Sequence, residues 1–339
     1  MKHVATLVAL CVTACANAQE PVTVDNFIRA ETDTAFRRTL AQGEIGSFTH
    51  RRVPTPINAQ HIVRMNRDTL YSVAVFDLTQ PVTIVMPDPG DRFQSLHIVD
   101  QDHYTITVEH GAGRYTLTRD DVETRYVAVI VRLFIDANYR RDIARAHALQ
   151  DAIRVEQVDP GQFEAPDWDR ESLGRIRGQL KELAATLTSI EGMFGARGKV
   201  DPVRHLLGTA SGWGGNPVEA AWYQSVLPEK NDGTVAHALT LRDVPADGFW
   251  SVTVYNAEGF METNAREAYA FNSATSEVDA DGSVTIHFGA CDDGRSNCLP
   301  VMPGWSYVLR LYQPQLSVLN GSWKPPEPRP RASVAPARV

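Results

Sequence analysis

Between residues 70 and 135, six short segments rich in valine, isoleucine, tyrosine and threonine follow one another with no room for a helix between them. They are LYSVAVFD (70–77), VTIVMP (82–87), FQSLHIVD (93–100), YTITVE (104–109), RYTLT (114–118) and RYVAVIVRLFI (125–135). Turn signals such as Pro87-Asp88-Pro89-Gly90 and Gly111-Ala112-Gly113 separate them. A parallel βαβ arrangement needs a crossover of a dozen or more residues, so this spacing predicts an antiparallel sandwich or jelly roll. A second series returns from about residue 235: HALTLRD, FWSVTVY (249–255), EAYAFN (267–272), SVTIHF (283–288) and WSYVLRLY (305–312), with the hairpin signal Asp281-Gly282.

Helical patterns surround the first series. Phe27, Ile28, Ala35, Phe36 and Leu40 predict an opening helix within 22–41. Asp142 to Gln157 reads as a helix, and Leu173, Ile176, Leu180, Leu183 and Leu187 form one stripe of another. Asn216-Pro217-Val218-Glu219 has the form of a capping box and predicts a helix through Tyr223. The expected fold is mainly β with a helical connector (α+β), built as two antiparallel β-sandwich or jelly-roll-like domains. The expected boundaries are 22–138 for the opening helix and first β domain, 139–228 for the connector and 229–323 for the second β domain. A Pro/Arg-rich tail, 324–339, has a composition that cannot bury a core and is predicted to be disordered.

Residues 1–18 read as a leader, with Lys2, an apolar run from Val4 to Val12 and the small-x-small sequence Ala16-Asn17-Ala18. A lipobox reading, Val12-Thr13-Ala14-Cys15, competes with cleavage before Gln19 and would place a lipid anchor on Cys15. Either predicts export, to the periplasm or to the outer membrane as a lipoprotein. Cys291 and Cys298 are the two cysteines outside the leader, and an oxidising compartment predicts a structural disulfide. The formal charge of −8 has the wrong sign for a general nucleic-acid binder. No run after the leader is long and apolar enough to span a membrane.

Common catalytic signatures are absent: there is no G-x-S-x-G, H-E-x-x-H or G-x-x-x-x-G-K-[ST]. The densest polar cluster is Arg64-Met65-Asn66-Arg67-Asp68-Thr69-Leu70-Tyr71-Ser72. Asp68 could serve as a general base with Asn66 orienting a substrate, or both could simply cap a turn and a strand. Asn66, Asp68, Leu70 and Ser72 share a face if the strand begins that early. A second cluster, Asp100-Gln101-Asp102-His103-Tyr104, could supply an acid or a metal ligand, or form a polar hairpin turn. His97, Gln101, His103 and Glu109 share strand parity provided that no bulge intervenes. Gly212-Trp213-Gly214-Gly215-Asn216, with Arg204 and His205 nearby, is a third candidate, for an anion at a helix start. Trp250, Tyr255, Trp305 and Tyr312 fit a core better than a sugar platform. No metal set or cofactor is legible.

PINAQHIVRMNRDTLYSVAVFDL followed by PDPGDRFQSLHIVDQDHYT resembles the domain of unknown function 1254. GFWSVTVYNAEGF, DGSVTIHFG, NCLPVMPGWSYVLRLYQP and LNGSWKPPEP resemble the domain of unknown function 1214. Together the resemblances span about residues 22–328. They imply two β-rich domains joined by helices and no established reaction. They add weight to Asn66, Asp68, Thr69 and Tyr71 in the first motif, and to Arg310 and Tyr312 in the second. Two functions follow as expectations. One is a hydrolase or lyase acting on a small or sugar-like polar compound, with Asp68 as base, Asp102 or His103 as acid, and Asn66, Thr69, Tyr71, Tyr104, Arg310 and Tyr312 holding the ligand. The other is a non-catalytic ligand-binding or envelope protein. Arg310 lies in so apolar a strand that it requires solvent, a carboxylate or a ligand as partner.

Overall fold

The computed structural model describes residues 19–60 and 62–331. The leader with Cys15, and the tail beyond Arg331, lie outside the described residues. The chain opens with helix α1 (Phe27–Leu40), and the first domain then contains β1 (Thr49–His50), β2 (Thr69–Asp77), β3 (Val82–Met86), β4 (Gln94–Asp100), β5 (Thr105–His110) and β6 (Gly113–Leu117). The short helix α2 (Arg119–Val122), β7 (Tyr126–Phe134), α3 (Arg140–Asp151) and β8 (Arg154–Glu156) follow. A five-stranded sheet in the order β1-β2-β7-β4-β5 packs on a three-stranded one, β6-β3-β8. Their core holds Ala74, Phe76, Ile84, Leu96, Ile98, Val127 and Val129.

Helices α4 (Arg170–Ala184) and α5 (Pro202–Gly212) pack with α1 through Phe27, Leu173, Ile176, Leu180 and Leu207. Asp169 and Asp201 cap their N-termini by accepting backbone N–H groups, and Pro202 occupies the first turn, where its missing N–H costs nothing.

The second domain contains β9 (Ala221–Val226), β10 (His237–Leu241), β11 (Ala246–Tyr255), β12 (Ala270–Asn272), β13 (Val284–Phe288), β14 (Cys298–Leu299) and β15 (Ser306–Pro314). The short helix α6 (Leu316–Leu319) and β16 (Arg329–Pro330) complete it. The sheets β12-β11-β15-β9 and β14-β13-β10-β16 enclose a core with Trp250, Val252, Ile286, Phe288, Trp305 and Leu309. The mainly β fold with two antiparallel sandwiches expected from the strand spacing is thus present. β13 and β14 are the exception, pairing parallel. Cys291 and Cys298 are bonded, closing a short loop over the end of β13. Such a closure contributes about 2–3 kcal/mol through the unfolded chain.

Three expectations are corrected. The connector is not one helical unit: α3 packs on Leu70 and Leu133, β8 completes the first sandwich, and β9 belongs to the second. The helix expected from Asn216 through Tyr223 is a single turn at Pro217 followed by strand β9. The alternating Ala221, Trp222, Tyr223 pattern pairs along β15, and that long-range ladder overrides the local capping signal. The tail does not lose its structure at Lys324. Arg329–Pro330 pairs with His237 and Ala238 on the edge of β10, which needs backbone partners and no buried side chains.

Candidate functional site

Strands β2 and β7 bury both of their faces. Ala74, Phe76, Val127 and Val129 supply the sandwich core. On the opposite face Val75, Tyr126 and Ala128 pack under Phe36 of α1. Further along that same face the residues turn polar: Tyr71 pairs across the ladder with Arg132, and Arg132 with Ser95. The second domain presents an equally polar face. Alternate residues of β15, Tyr307, Leu309 and Leu311, enter its core, so Val308, Arg310 and Tyr312 point the other way. Phe249, Ser251 and Thr253 on β11 lie beside them, as does Tyr223 on β9. The two polar faces meet. Phe93 and Phe134 of the first domain pack on Phe249 and Tyr312 of the second and seal one side of the junction.

Asn66 joins the two faces. Its Nδ2 donates to the hydroxyls of Tyr71 at 3.2 Å and Tyr312 at 3.0 Å, and its Oδ1 accepts from Thr69 Oγ1 at 3.2 Å. Nδ2 of Asn216, just beyond α5, donates to the Tyr223 hydroxyl at 2.9 Å. The Arg132 guanidinium lies 5.6 Å from the Tyr71 ring centre, donates to the Gly214 carbonyl at 2.7 Å and meets His97 Nδ1 at 3.3 Å. Gly214 can hold that position because its φ is +76° and a Cβ there would come within 3.0 Å of Ile130.

Arg310 is buried and donates to Thr253 Oγ1, the Arg64 carbonyl and the Tyr255 hydroxyl. Asp68 is buried beside it and accepts from Asn272 Nδ2 at 3.0 Å; its second oxygen has no hydrogen-bond partner among the described residues. No Asp68–Arg310 ion pair forms among the described residues, although the arginine's charge bears on the carboxyl. Burial pushes the Asp68 carboxyl up, against the pull of Asn272 and Arg310. Around the three phenols the shifts diverge. Burial raises Tyr223 and Tyr312, and the neighbouring phenols add to the rise at Tyr312. Burial acts on Tyr71 in the same direction, but the Arg132 guanidinium, Thr69 and Arg310 outweigh it and hold this phenol below its usual range.

Of the residues singled out in the sequence, Asn66, Asp68, Thr69, Tyr71, Arg310 and Tyr312 therefore gather at this junction. Asp102, His103 and Tyr104 gather elsewhere, at the turn between β4 and β5. The Asp102 carboxylate is held by Arg29 at 2.5 Å and Arg197 at 3.3 Å. Tyr104 stacks on His205 with Arg197 over its ring. His103 Nε2 accepts the Gly214 N–H, so its Nδ1 carries the proton and donates to Thr209 Oγ1. Burial, with His205 alongside, pushes His103 down to about 3 and keeps it neutral. It touches the junction through Gly214, whose carbonyl holds Arg132. β4 ends at Asp100, so Gln101 and His103 lie in the turn, and the extra residue Ile106 on β5 breaks the parity expected through to Glu109. β2 begins at Thr69, so the face expected for Asn66, Asp68, Leu70 and Ser72 does not form as one row.

The sequence argument missed Arg132, Tyr223, Asn216 and Ser251. Arg132 had a signal: it is a lone charge inside RYVAVIVRLFI, as Arg310 is inside WSYVLRLY. Beside the junction lies a groove of about 650 Å³ lined by Thr105, Phe194, Lys199, Arg204, Val218 and Glu219. Thr105 bonds His97 at 2.9 Å, and Pro217 to Glu219 follow Asn216, so the groove abuts the junction from one side. Phe194 fills the wall where a Cβ on Gly215 would stand 2.6 Å from its ring.

Asp100, next to this turn, is pushed up to about 6 from 3.8 by burial, and the Asp102 charge adds to the shift. The folded state therefore holds its proton more tightly than the unfolded chain. That contribution is complete below pH 3.8 and is lost as pH rises through 6. Between pH 4 and pH 7 the loss is about 2 kcal/mol. Asp100→Asn retains the oxygen that accepts from the Asp102 and Tyr104 N–H groups. Urea denaturation of this variant should show a flatter pH profile across that window; an unchanged slope would assign the dependence to other groups.

Residues 45–157 match the family described as Protein of unknown function (DUF1254), and residues 228–316 match Protein of unknown function (DUF1214). The two matches follow one another in that order. Asn66, Asp68, Tyr71 and Arg132 fall within the DUF1254 match, and Arg310 and Tyr312 within the DUF1214 match. The site is thus built where the two matched regions meet. The VPA0106 protein from Vibrio parahaemolyticus shares the fold, with a TM-score of 0.69 and 19% identity over 91% of this chain and 98% of that one. A putative uncharacterized protein from Burkholderia cenocepacia is similar at a TM-score of 0.51 and 14% identity, over 91% and 87% of the two chains. No curated protein matches the chain.

Proposed function

We propose that this protein binds a small polar molecule at the junction of its two β domains. One observation carries the reading. Two sheet faces that would ordinarily be apolar where they bury against each other instead carry Tyr71, Arg132 and Ser95 on one side and Tyr223, Arg310, Tyr312 and Ser251 on the other. Polar groups buried without need destabilise a fold by about 1–3 kcal/mol each, so such a concentration is what a ligand requires and a purely structural interface does not. Asn66, Tyr71 and Tyr223 remain half-buried, which leaves a rim open to solvent.

Asp68 and His103 stand in separate hydrogen-bonded clusters, so binding is better supported than the base-and-acid pairing that hydrolysis or elimination would use. Asn66→Ala removes the group that orients both Tyr71 and Tyr312. Thermal scanning of the wild type against a library of polar metabolites should find stabilising compounds. The variant should fold, with a stability loss of about 1–2 kcal/mol, and lose that response. Full response in Asn66→Ala would place the ligand elsewhere.

A further inference from the structure

The ligand of this junction is readable from the direction of its hydrogen bonds. This inference rests on the binding reading above. A buried tyrosine hydroxyl can both accept and donate. Tyr126 does both, donating to the Gln162 carbonyl and accepting from the Glu164 N–H. Tyr255 also does both, donating to the Met65 carbonyl and accepting from Arg310. The three hydroxyls at the junction differ. Tyr71 and Tyr312 accept from Asn66, and Tyr223 accepts from Asn216. None of the three donates to an acceptor among the described residues.

Asn66 has three hydroxyl neighbours, those of Thr69, Tyr71 and Tyr312. Thr69 Oγ1 lies 3.2 Å from its Oδ1, and in this orientation its NH2 faces the two phenols and leaves each phenol proton for another partner. Tyr223 lies edge-on to Tyr312 with ring centres 6.3 Å apart, so the unused donors belong to one cluster. The charge balance has the same sign. Neither Arg132 nor Arg310 forms an ion pair among the described residues; their partners are carbonyls, hydroxyls and a histidine ring. The Asp68 carboxyl bears on Arg310 and Tyr312, and burial favours its neutral form.

We propose that the junction binds a small monocarboxylate, its oxygens accepting the O–H groups of Tyr71, Tyr223 and Tyr312 beside the Arg132 guanidinium. A cation meets two arginines there, and a neutral polyol brings donors to a cluster already rich in them. A single negative charge offsets the surplus guanidinium, and a carboxylate's two oxygens can accept from several hydroxyls at once.

The test uses acetate, pyruvate and benzoate as probes, with phosphate, sulfate and glycerol for comparison. The wild-type protein is measured by calorimetric titration and thermal scanning. At least one carboxylate should bind better than the comparison compounds. Tyr71→Phe, Tyr223→Phe and Tyr312→Phe each keep the ring and remove one donor, and each should weaken that binding about tenfold or more. Tyr126→Phe removes a hydroxyl outside the junction and should leave the affinity unchanged, which controls for general loosening of the fold. Wild-type affinity in all three junction variants overturns the proposal, as does preference for phosphate, sulfate or glycerol. If neutral or cationic compounds from the metabolite library bind in an Asn66-dependent way while every carboxylate fails, the carboxylate class falls and the binding reading stands. If nothing binds in an Asn66-dependent way, both fall.

Discussion

Arg310→Met should lower the free energy of unfolding by about 3–5 kcal/mol, and should do so for both domains together. The side chain is 4% exposed and reaches three partners: Thr253 and Tyr255 on its own sheet and the Arg64 carbonyl of the first domain. Methionine replaces the hydrocarbon stem but no donor, so Thr253, Tyr255 and the Arg64 carbonyl all lose their partner. Residues 64–68 connect the domains through several contacts, among them Arg64 to Arg310 and Ser225, Met65 to Tyr255, Asn66 to Tyr312 and Asp68 to Asn272. Loosening one end of so short a segment weakens the others, and limited proteolysis should cut near residues 57–68 in the variant before the wild type. A loss below about 1 kcal/mol in urea denaturation, with an unchanged cleavage pattern, would show that Arg310 serves the ligand and not the seam.

Trp305→Ala is expected to remove about 3–5 kcal/mol. The indole is fully buried and stacks on Phe288 with ring centres 5.0 Å apart, against Tyr307 and His237. Its Nε1 has no hydrogen-bond partner among the described residues, so the contribution is one of volume and contact. Trp305→Phe should therefore cost only about 1–2 kcal/mol, since an aromatic ring still fills most of the space. Equal losses in the two variants would mean that the indole N–H has a partner after all. The gap between them is measured by denaturant midpoints at constant m-value.

Much of the fold was legible because strands announce themselves locally. LYSVAVFD, RYVAVIVRLFI and WSYVLRLY carry their own β-forming residues, and the turns between them their own glycines and prolines. The disulfide followed from the count and spacing of cysteines. Failures came where a local signal competed with a distant one. Asn216 to Glu219 reads as a helix start, but Ala221 to Val226 finds a strand partner in β15, more than 80 residues on. His97 and His103 share strand parity in the sequence, but β4 ends at Asp100 and His103 sits in the following turn at a φ of +66°, so the shared face is lost.

The site divides in the same way. The sequence by itself determined that Arg310 needs a partner, since a lone guanidinium between Leu309 and Leu311 is costly anywhere inside a protein. By the same physics it marked Arg132. It determined which residues alternate onto one face of β2, β7 and β15, because a strand has a period of two. Only the tertiary structure decided which faces meet. Asn66 and Tyr312 are 246 residues apart, and nothing in either segment names the other. Only the tertiary structure separated Asp68 from His103, by placing one against β12 and the other beneath α5. Periodicity fixes the direction of a side chain relative to its own strand. The partner it finds there depends on how two cores pack, and that is settled by the sum of all their contacts.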